Sequence, residues 1–323
     1  MQIPESVTAL VAEDLKAVDA LIRARLASDV PLIQQVARHI IGGGGKRLRP
    51  ILVLLAAGAT GYQGRLHHEF AAVVEIIHTA TLLHDDVVDE SELRRGRQTA
   101  NVAFGNAASV LVGDFLHSRA FQMMVAAGNP AAMRVLAEAT SLIAEGEVLQ
   151  LAHCHDSNVD EERYLQVIRY KTAKLFEAAA RLGAVLGGGD DALESALGTY
   201  GGYLGTAFQI VDDMLDFSGD ETEVGKRLGD DLAEGKPTLP LIYVLRHATP
   251  EQAAVVRQAI EQDGRALFPE VLAAVRASGA LQRAQRLAER QVESAKEAIG
   301  ALPDTKYKEA LLEFALFAVQ RTY

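Results

Sequence analysis

The sequence predicts an all-α protein, and three observations carry that reading. Apolar residues recur at helical spacing along most of the chain, as in Val73, Ile76, Ile77 and Ala80, or Leu165, Ile168, Thr172 and Leu175. β-branched runs with period-two alternation are scarce, so strand signals are weak throughout. The periodic stretches are separated by breaks rich in Gly, Pro, Asp and Ser. In order, the breaks are four glycines at 42–45, a glycine pair at 61–64, Gly-Asn-Pro at 128–130 and a polar turn at 156–159. A Gly/Asp cluster at 187–191, a charged stretch at 218–235 and a turn into Pro250 at 247–250 complete the set. They divide the chain into about ten or more helices, several of them long. No Pro/Ser-rich linker or composition shift interrupts residues 1–323, so a single domain is expected, built as one large bundle around a central cavity.

Composition narrows the function classes. Of 323 residues, 49% are hydrophobic, ample for a large core. The formal net charge of −11 argues against general binding to nucleic acid or anionic lipid, which needs a basic surface. Any site for an anionic substrate must therefore be built from local Lys/Arg or from metal ions. The one cysteine, Cys154, rules out an internal disulfide and suits a reducing compartment. The longest charge-free stretch, residues 195–211, contains four glycines and is shorter than a membrane span, so no transmembrane segment is expected. The opening residues lack the pattern of a signal peptide. These features point to the cytoplasm.

Chemistry concentrates in two echoing segments. Residues 78–89 read HTATLLHDDVVD and residues 205–216 read GTAFQIVDDMLD; each sets Thr-Ala five and six positions ahead of Asp-Asp-x-x-Asp. Residues i and i+4 share a helix face, so Asp85/Asp89 and Asp212/Asp216 each aim two carboxylates one way. Such like-charge pairs destabilise a helix unless something cationic joins them. With Asp86 and Asp213 they form two all-oxygen donor sets suited to Mg2+. Two helices with the same cluster suggest two faces of one cavity.

Basic residues flank these clusters. Arg94, Arg95 and Arg97 follow the first, and guanidinium groups grip phosphate oxygens bidentately. Residues 42–50 read GGGGKRLRP, where glycines allow close backbone approach and Lys46, Arg47 and Arg49 supply charge. The segment is not a nucleotide P-loop, because Arg47 stands where Ser or Thr would follow the lysine. Lys171, Thr172, Gln209, Lys226 and Lys236 add polar groups beside apolar helices, while Glu147 and Gln150 read as supporting residues. Glu75 and His78 form E-x-x-H, but a di-iron bundle needs a second copy, which this sequence lacks.

Taken together and in this order, the paired aspartate clusters, GGGKRLRP, the Arg-Arg pair, KTAKLFEAAA and GDDLAEGKPTLPL resemble the trans-isoprenyl diphosphate synthases over nearly the whole chain. Within that family the segments IHTATLLHDDVVDESELRRG, ANVAFGNAASVLVGDF and AEGEVLQL are similar to the bacterial long-chain branch. The resemblance implies an all-α isoprenoid synthase fold, a homodimer, and two or three Mg2+ ions held by Asp85, Asp89 and Asp212 with Asp86, Asp213 and Asp216. It implies that Arg94, Lys171, Thr172, Gln209, Lys226 and Lys236 bind the allylic diphosphate. Lys171, Gln209, Lys226 and Lys236 would also assist its departure, and Lys46, Arg49, His78 and Arg95 would hold isopentenyl diphosphate. The implied reaction condenses farnesyl or another allylic diphosphate with isopentenyl diphosphate, for the side chain of a respiratory quinone.

Three other readings fit less well. A terpene cyclase usually replaces the second aspartate cluster, which is intact here. A head-to-head synthase would not need GGGKRLRP, and a non-catalytic subunit tends to lose aspartates or cations. For product length, Val74, Ile77 and Thr81 form a stripe below Asp85 with Ala80 beside it. Short-chain members of the family commonly place an aromatic residue at position 80 or 81. The small residues here predict an open floor and a product of about C40, along roughly 28 Å of helix.

Overall fold

The computed structural model describes residues 3–218, 228–262 and 264–320. In chain order the helices begin with α1 Glu5–Leu10, α2 Ala12–Arg25, α3 Pro31–Gly42, α4 Leu48–Ala59 and α5 Leu66–Val88. A two-residue hairpin follows, β1 Leu93–Arg94 and β2 Arg97–Gln98, then α6 Ala100–Phe104, α7 Asn106–Ala127 and α8 Pro130–His153. Next come α9 Glu161–Ile168, a π-helical turn at Arg169–Ala173, α10 Lys174–Leu186 and α11 Asp191–Ser218. The remaining helices are α12 Asp230–Ala233, α13 Leu239–His247, α14 Pro250–Glu261, α15 Phe268–Ser278, α16 Ala280–Ala298 and α17 Lys306–Val319. The expected breaks at 42–45, 61–64, 128–130, 156–159, 187–191 and 247–250 separate these helices, because Gly and Pro cost most inside a helix. Residues 219–227 of the break expected at 218–235 lie outside the described residues, and its described part holds the four-residue α12. At 247–250 the break is a capping box. The Thr249 hydroxyl accepts from Gln252 N and the Gln252 side chain accepts from Thr249 N, with Pro250 at the first helical position.

The chain divides into two compact units. One comprises Met1–Thr140, Leu175–Gly201 and Ala298–Phe314; the other comprises Ser141–Lys174, Gly202–Glu297 and Ala315–Tyr323. In the first unit α5 packs against α2, α4 and α7. Residues Phe70 to Val74, Ile76 and Ile77 are all at most 1% exposed, so over two turns α5 is apolar all round apart from the buried Glu75 and is enclosed rather than amphipathic. The second unit has its own core, in which Tyr164, Ile210, Met214 and Phe217 meet Leu239, Ile242, Val256, Ile260, Val271 and Val275. Among the described residues no helix is long and apolar enough to cross a membrane.

Candidate active site

Both aspartate clusters lie at the C-terminal ends of long helices. Asp85 and Asp86 sit in the last turn of α5, and Asp89 is its C-cap, donating its N–H to Asp85 O at 2.8 Å. Asp212, Asp213 and Asp216 occupy the last turns of α11. A helix C-terminus carries roughly half a negative charge, and neither last turn contains Lys or Arg. Each end therefore concentrates anionic charge that only an external cation or donors from elsewhere in the chain can offset. The sequence echo extends to the preceding residues. Thr79 and Thr206 are buried, and each hydroxyl donates to the carbonyl four residues back, Glu75 O at 2.7 Å and Gly202 O at 2.8 Å.

The six carboxylates are not equivalent. Asp86 is fully buried, and its Oδ1 accepts from Arg94 Nε at 2.8 Å and Nη2 at 2.7 Å, while Oδ2 is buried without a hydrogen bond. Burial raises the Asp86 pKa, against the opposing pull of Arg94. Asp213 is buried too, its Oδ2 accepting from Tyr164 OH at 2.6 Å and its Oδ1 from Gln209 Nε2 at 2.7 Å. Its pKa is raised by burial and by the neighbouring Asp231 and Asp212. Asp216 is buried and accepts from Gly229 N at 3.1 Å. Asp85, Asp89 and Asp212 are half-buried. An all-oxygen donor set with this excess of negative charge fits Mg2+.

In the first unit three side chains fasten the hairpin to the end of α3 and the loop that follows it. His39 Nε2 donates to Gln98 O at 2.7 Å, Arg97 Nη1 to Gly42 O at 3.0 Å, and Arg95 to Gly44 O. The hairpin turn is Arg95-Gly96, with φ of 53° and 71°, the left-handed pair of a type I′ turn. Gly44 (φ 77°) and Gly45 (φ 149°) turn the facing loop, and a Cβ on Gly45 would lie 2.7 Å from Arg95 Nη1. The glycine-rich loop and the arginine pair, 50 residues apart in sequence, are thus one structure. Arg94 ties it to the end of α5.

His78 lies within this cationic cluster. Burial lowers its pKa well below the usual imidazole value, and Arg49, Arg95, Arg94 and Arg47 add to the effect. It is therefore neutral at pH 7. Arg49 stacks over the Phe176 ring at 4.5 Å, and its Nε is buried without a hydrogen bond. Burial lowers the Arg49 pKa to about 10. Lys46 is exposed at the loop. Arg47, which belongs to the same basic run, instead donates to the buried Glu75 at 2.6 Å and contacts Asp19 at 3.3 Å. The E-x-x-H pair is thereby split between an ion pair and the cationic cluster.

In the second unit the π-helical turn carries Lys171 and Thr172. Lys171 Nζ donates to Glu147 and, at 2.8 Å, to Gln150 Oε1, both on α8. Thr172 Oγ1 donates to Gln209 Oε1 at 3.0 Å, which continues the chain of hydrogen bonds to Asp213 and Tyr164. The turn presses on α8 at Gly146, where a Cβ would lie 2.6 Å from Lys171 N and 2.8 Å from Tyr170 Cβ. Gly146→Ala should therefore displace the Lys171 backbone. It is expected to cost about 1–3 kcal/mol of stability and to lower turnover by up to roughly 100-fold through misplacement. Thermal melting and steady-state rates on one preparation check both. Lys236 pairs with Glu234 at 2.5 Å. Lys226 lies outside the described residues. Val74, Ile77 and Ala80 are at most 1% exposed on α5, and Thr81 is half-buried.

The polyprenyl synthetase family profile matches residues 30–275 of this chain. The chain belongs to the polyprenyl synthetase family. This polyprenyl synthetase is 53% identical to the octaprenyl diphosphate synthase of Escherichia coli (strain K12) over 318 residues, covering 98% of each chain. It is 44% identical to the all-trans-nonaprenyl-diphosphate synthase (geranyl-diphosphate specific) of Rhodobacter capsulatus, again over 98% of each. Among solved structures it resembles a polyprenyl synthase from Caulobacter crescentus CB15, complexed with calcium and isoprenyl diphosphate. That likeness has a TM-score of 0.96 at 45% identity, over 99% of this chain and 98% of the other. The polyprenyl synthetase is accordingly a trans-prenyltransferase. Sequence reasoning did not single out Tyr164 or Asp231 as neighbours of the second cluster, nor Arg47 as the partner of Glu75. No periodicity marks such pairings; the single signal was Glu75, a charge inside an apolar stretch.

Proposed function

We propose that this enzyme is an octaprenyl diphosphate synthase, condensing farnesyl diphosphate with successive isopentenyl diphosphate units to about C40, for a respiratory quinone side chain. The near full-length identity to an octaprenyl diphosphate synthase carries the product assignment. The nonaprenyl relative supports a second reading, a product one or two units longer. Residues 1–323 are read as a single synthase domain.

In this reading Asp85, Asp89 and Asp212, together with Asp86, Asp213 and Asp216, would hold Mg2+. When bound, Mg2+ supplies Lewis-acid stabilisation of the departing diphosphate. Asp86 holds Arg94, and so the hairpin, in place. Lys171, Thr172, Gln209, Lys226 and Lys236 bind the allylic diphosphate, with Arg94 at its edge. Glu147 and Gln150 orient the Lys171 ammonium so that its charge meets the negative charge developing on the leaving oxygen. Lys46, Arg49, Arg95 and neutral His78 receive isopentenyl diphosphate, His78 donating one N–H without adding charge. The double bond of isopentenyl diphosphate then attacks the allylic carbon. Apolar walls exclude the water that would quench the cation. The departing pyrophosphate takes the final proton.

A homodimer is part of the proposal. Helix α7 exposes Leu111 (66%), Phe121 (46%) and Val125 (59%) at helical spacing, an apolar stripe suited to a second copy. Sedimentation of the purified chain tests it.

Two measurements test the site assignment. The chain alone, given Mg2+, farnesyl diphosphate and isopentenyl diphosphate, should yield products centred on about C40; shorter products or no reaction would defeat the reading. Lys46→Ala should raise the KM for isopentenyl diphosphate about tenfold to a hundredfold, the worth of a charge-assisted phosphate contact. Lys171→Ala should chiefly impair the allylic step. The opposite pattern would exchange the two sites.

A further inference from the structure

Among the described residues, and apart from the aspartate clusters, one group of metal-ligating side chains stands at the opposite end of α5. His67 and His68, in its first turn, meet Asp14 of α2, and their donor atoms lie within 4.8 Å of one another. The group is half-buried. It sits 18 residues before Asp85, about 27 Å along the helix, and no part of the proposed mechanism uses it.

From this geometry we infer a second metal site, in which Asp14, His67 and His68 bind one divalent transition-metal ion of the zinc class. Consecutive helical residues point about 100° apart. Here the two imidazole centroids are nonetheless 4.0 Å apart, because both rings lean onto one oxygen. Asp14 Oδ1 stands 2.8 Å from His68 Nε2 and 3.6 Å from His67 Nε2. One hydrogen bond satisfies the shorter contact; the longer is beyond hydrogen-bond range. Ligand bonds of about 2.0–2.1 Å in a tetrahedral set place neighbouring donors about 3.3 Å apart, between the two distances observed. Imidazole nitrogen with one carboxylate suits zinc, copper or nickel rather than magnesium. Tyr62 closes one side, edge-on to His67 at 5.5 Å, with its hydroxyl accepting from Leu66 N at 3.2 Å. A bound ion would clamp α2 to the start of α5.

The test uses the full chain without an affinity tag, stripped with chelator and held in excess Mg2+ to occupy the aspartate clusters. Zn2+ is titrated against a chromophoric competitor, and Co2+ is added separately to read the visible bands of tetrahedral coordination. One equivalent of Zn2+ should bind, with tetrahedral Co2+ bands. A His67→Gln/His68→Gln variant should lose at least tenfold in affinity and lose the bands. Zn2+ should raise the melting temperature of the parent and not of the variant. Unchanged affinity in the folded double variant would overturn the site, as would absence of the bands. Should the double variant not fold, protection of His67 and His68 from diethyl pyrocarbonate by Zn2+ in the parent decides instead, and equal labelling with and without Zn2+ overturns the site. Failure here leaves the prenyltransferase assignment intact, because none of the three residues belongs to it.

Discussion

Asp85→Ala and Asp212→Ala are each expected to lower turnover by at least about 100-fold without lowering the melting temperature of the metal-free enzyme. Outer-shell partners of a metal already cost 10–100-fold when lost, and a direct ligand should cost at least the upper end of that range. Both carboxylates are half-buried at the negative end of a helix whose last turn has no compensating cation. Removing one there relieves roughly 0.3–1 kcal/mol of unfavourable interaction with the helix dipole. Asp86→Ala should differ by lowering stability as well. It strands Arg94, whose side chain is 31% exposed, so it should cost about 1–3 kcal/mol, less than the roughly 3–5 of a fully buried pair. Steady-state kinetics with thermal melts of all three variants separate ligand from anchor. Near-parental turnover in a folded Asp85 or Asp212 variant would remove the metal assignment.

Ala80→Tyr is expected to leave the first condensations intact and to halt elongation near about C15–C20, the largest change in product that a single substitution should produce. A growing prenyl chain must lead away from the aspartates, and α5 offers about 28 Å of wall between Leu66 and Asp85. Val74 and Ile77 are buried on that helix, and Ala80, at 1% exposure, is the small residue nearest the diphosphate end. A phenol ring there takes space that an elongating chain would otherwise occupy. Overpacking should cost about 1–3 kcal/mol, so melting must accompany the product analysis. A folded, active variant still making full-length product would move the tunnel away from α5.

The long helices were readable because burial imposes a period, and Gly and Pro mark where it stops. The aspartate clusters were readable for the converse reason: adjacent carboxylates inside HTATLLHDDVVD violate the pattern of the helix that bears them. The hairpin at Leu93–Gln98 was not, since two-residue strands carry no alternation and its turn uses Arg95 where Asn or Asp is the usual signal. Nor did the sequence distinguish Arg47 from Lys46. Which cation in GGGGKRLRP serves a ligand and which neutralises Glu75 depends on a left-handed backbone at Arg47, φ 51°, that no composition rule foresees. The Asp14–His67–His68 group joins residues more than 50 positions apart, and adjacent histidines on a helix ordinarily diverge.

The π-helical turn at Arg169–Ala173 has one more implication. Such a turn is an α-helix with one residue too many, a phase slip of about 100° between α9 on one side and α10 on the other. Deleting a single residue there would restore regular α-helical winding. It would also swing Lys171 and Thr172 out of line with Glu147, Gln150 and Gln209, none of which need change. The alignment of the lysine is thus set by the residue count of the chain as well as by its neighbours Gly146, Glu147 and Gln150, and the first of these two determinants is one that point substitutions leave untouched.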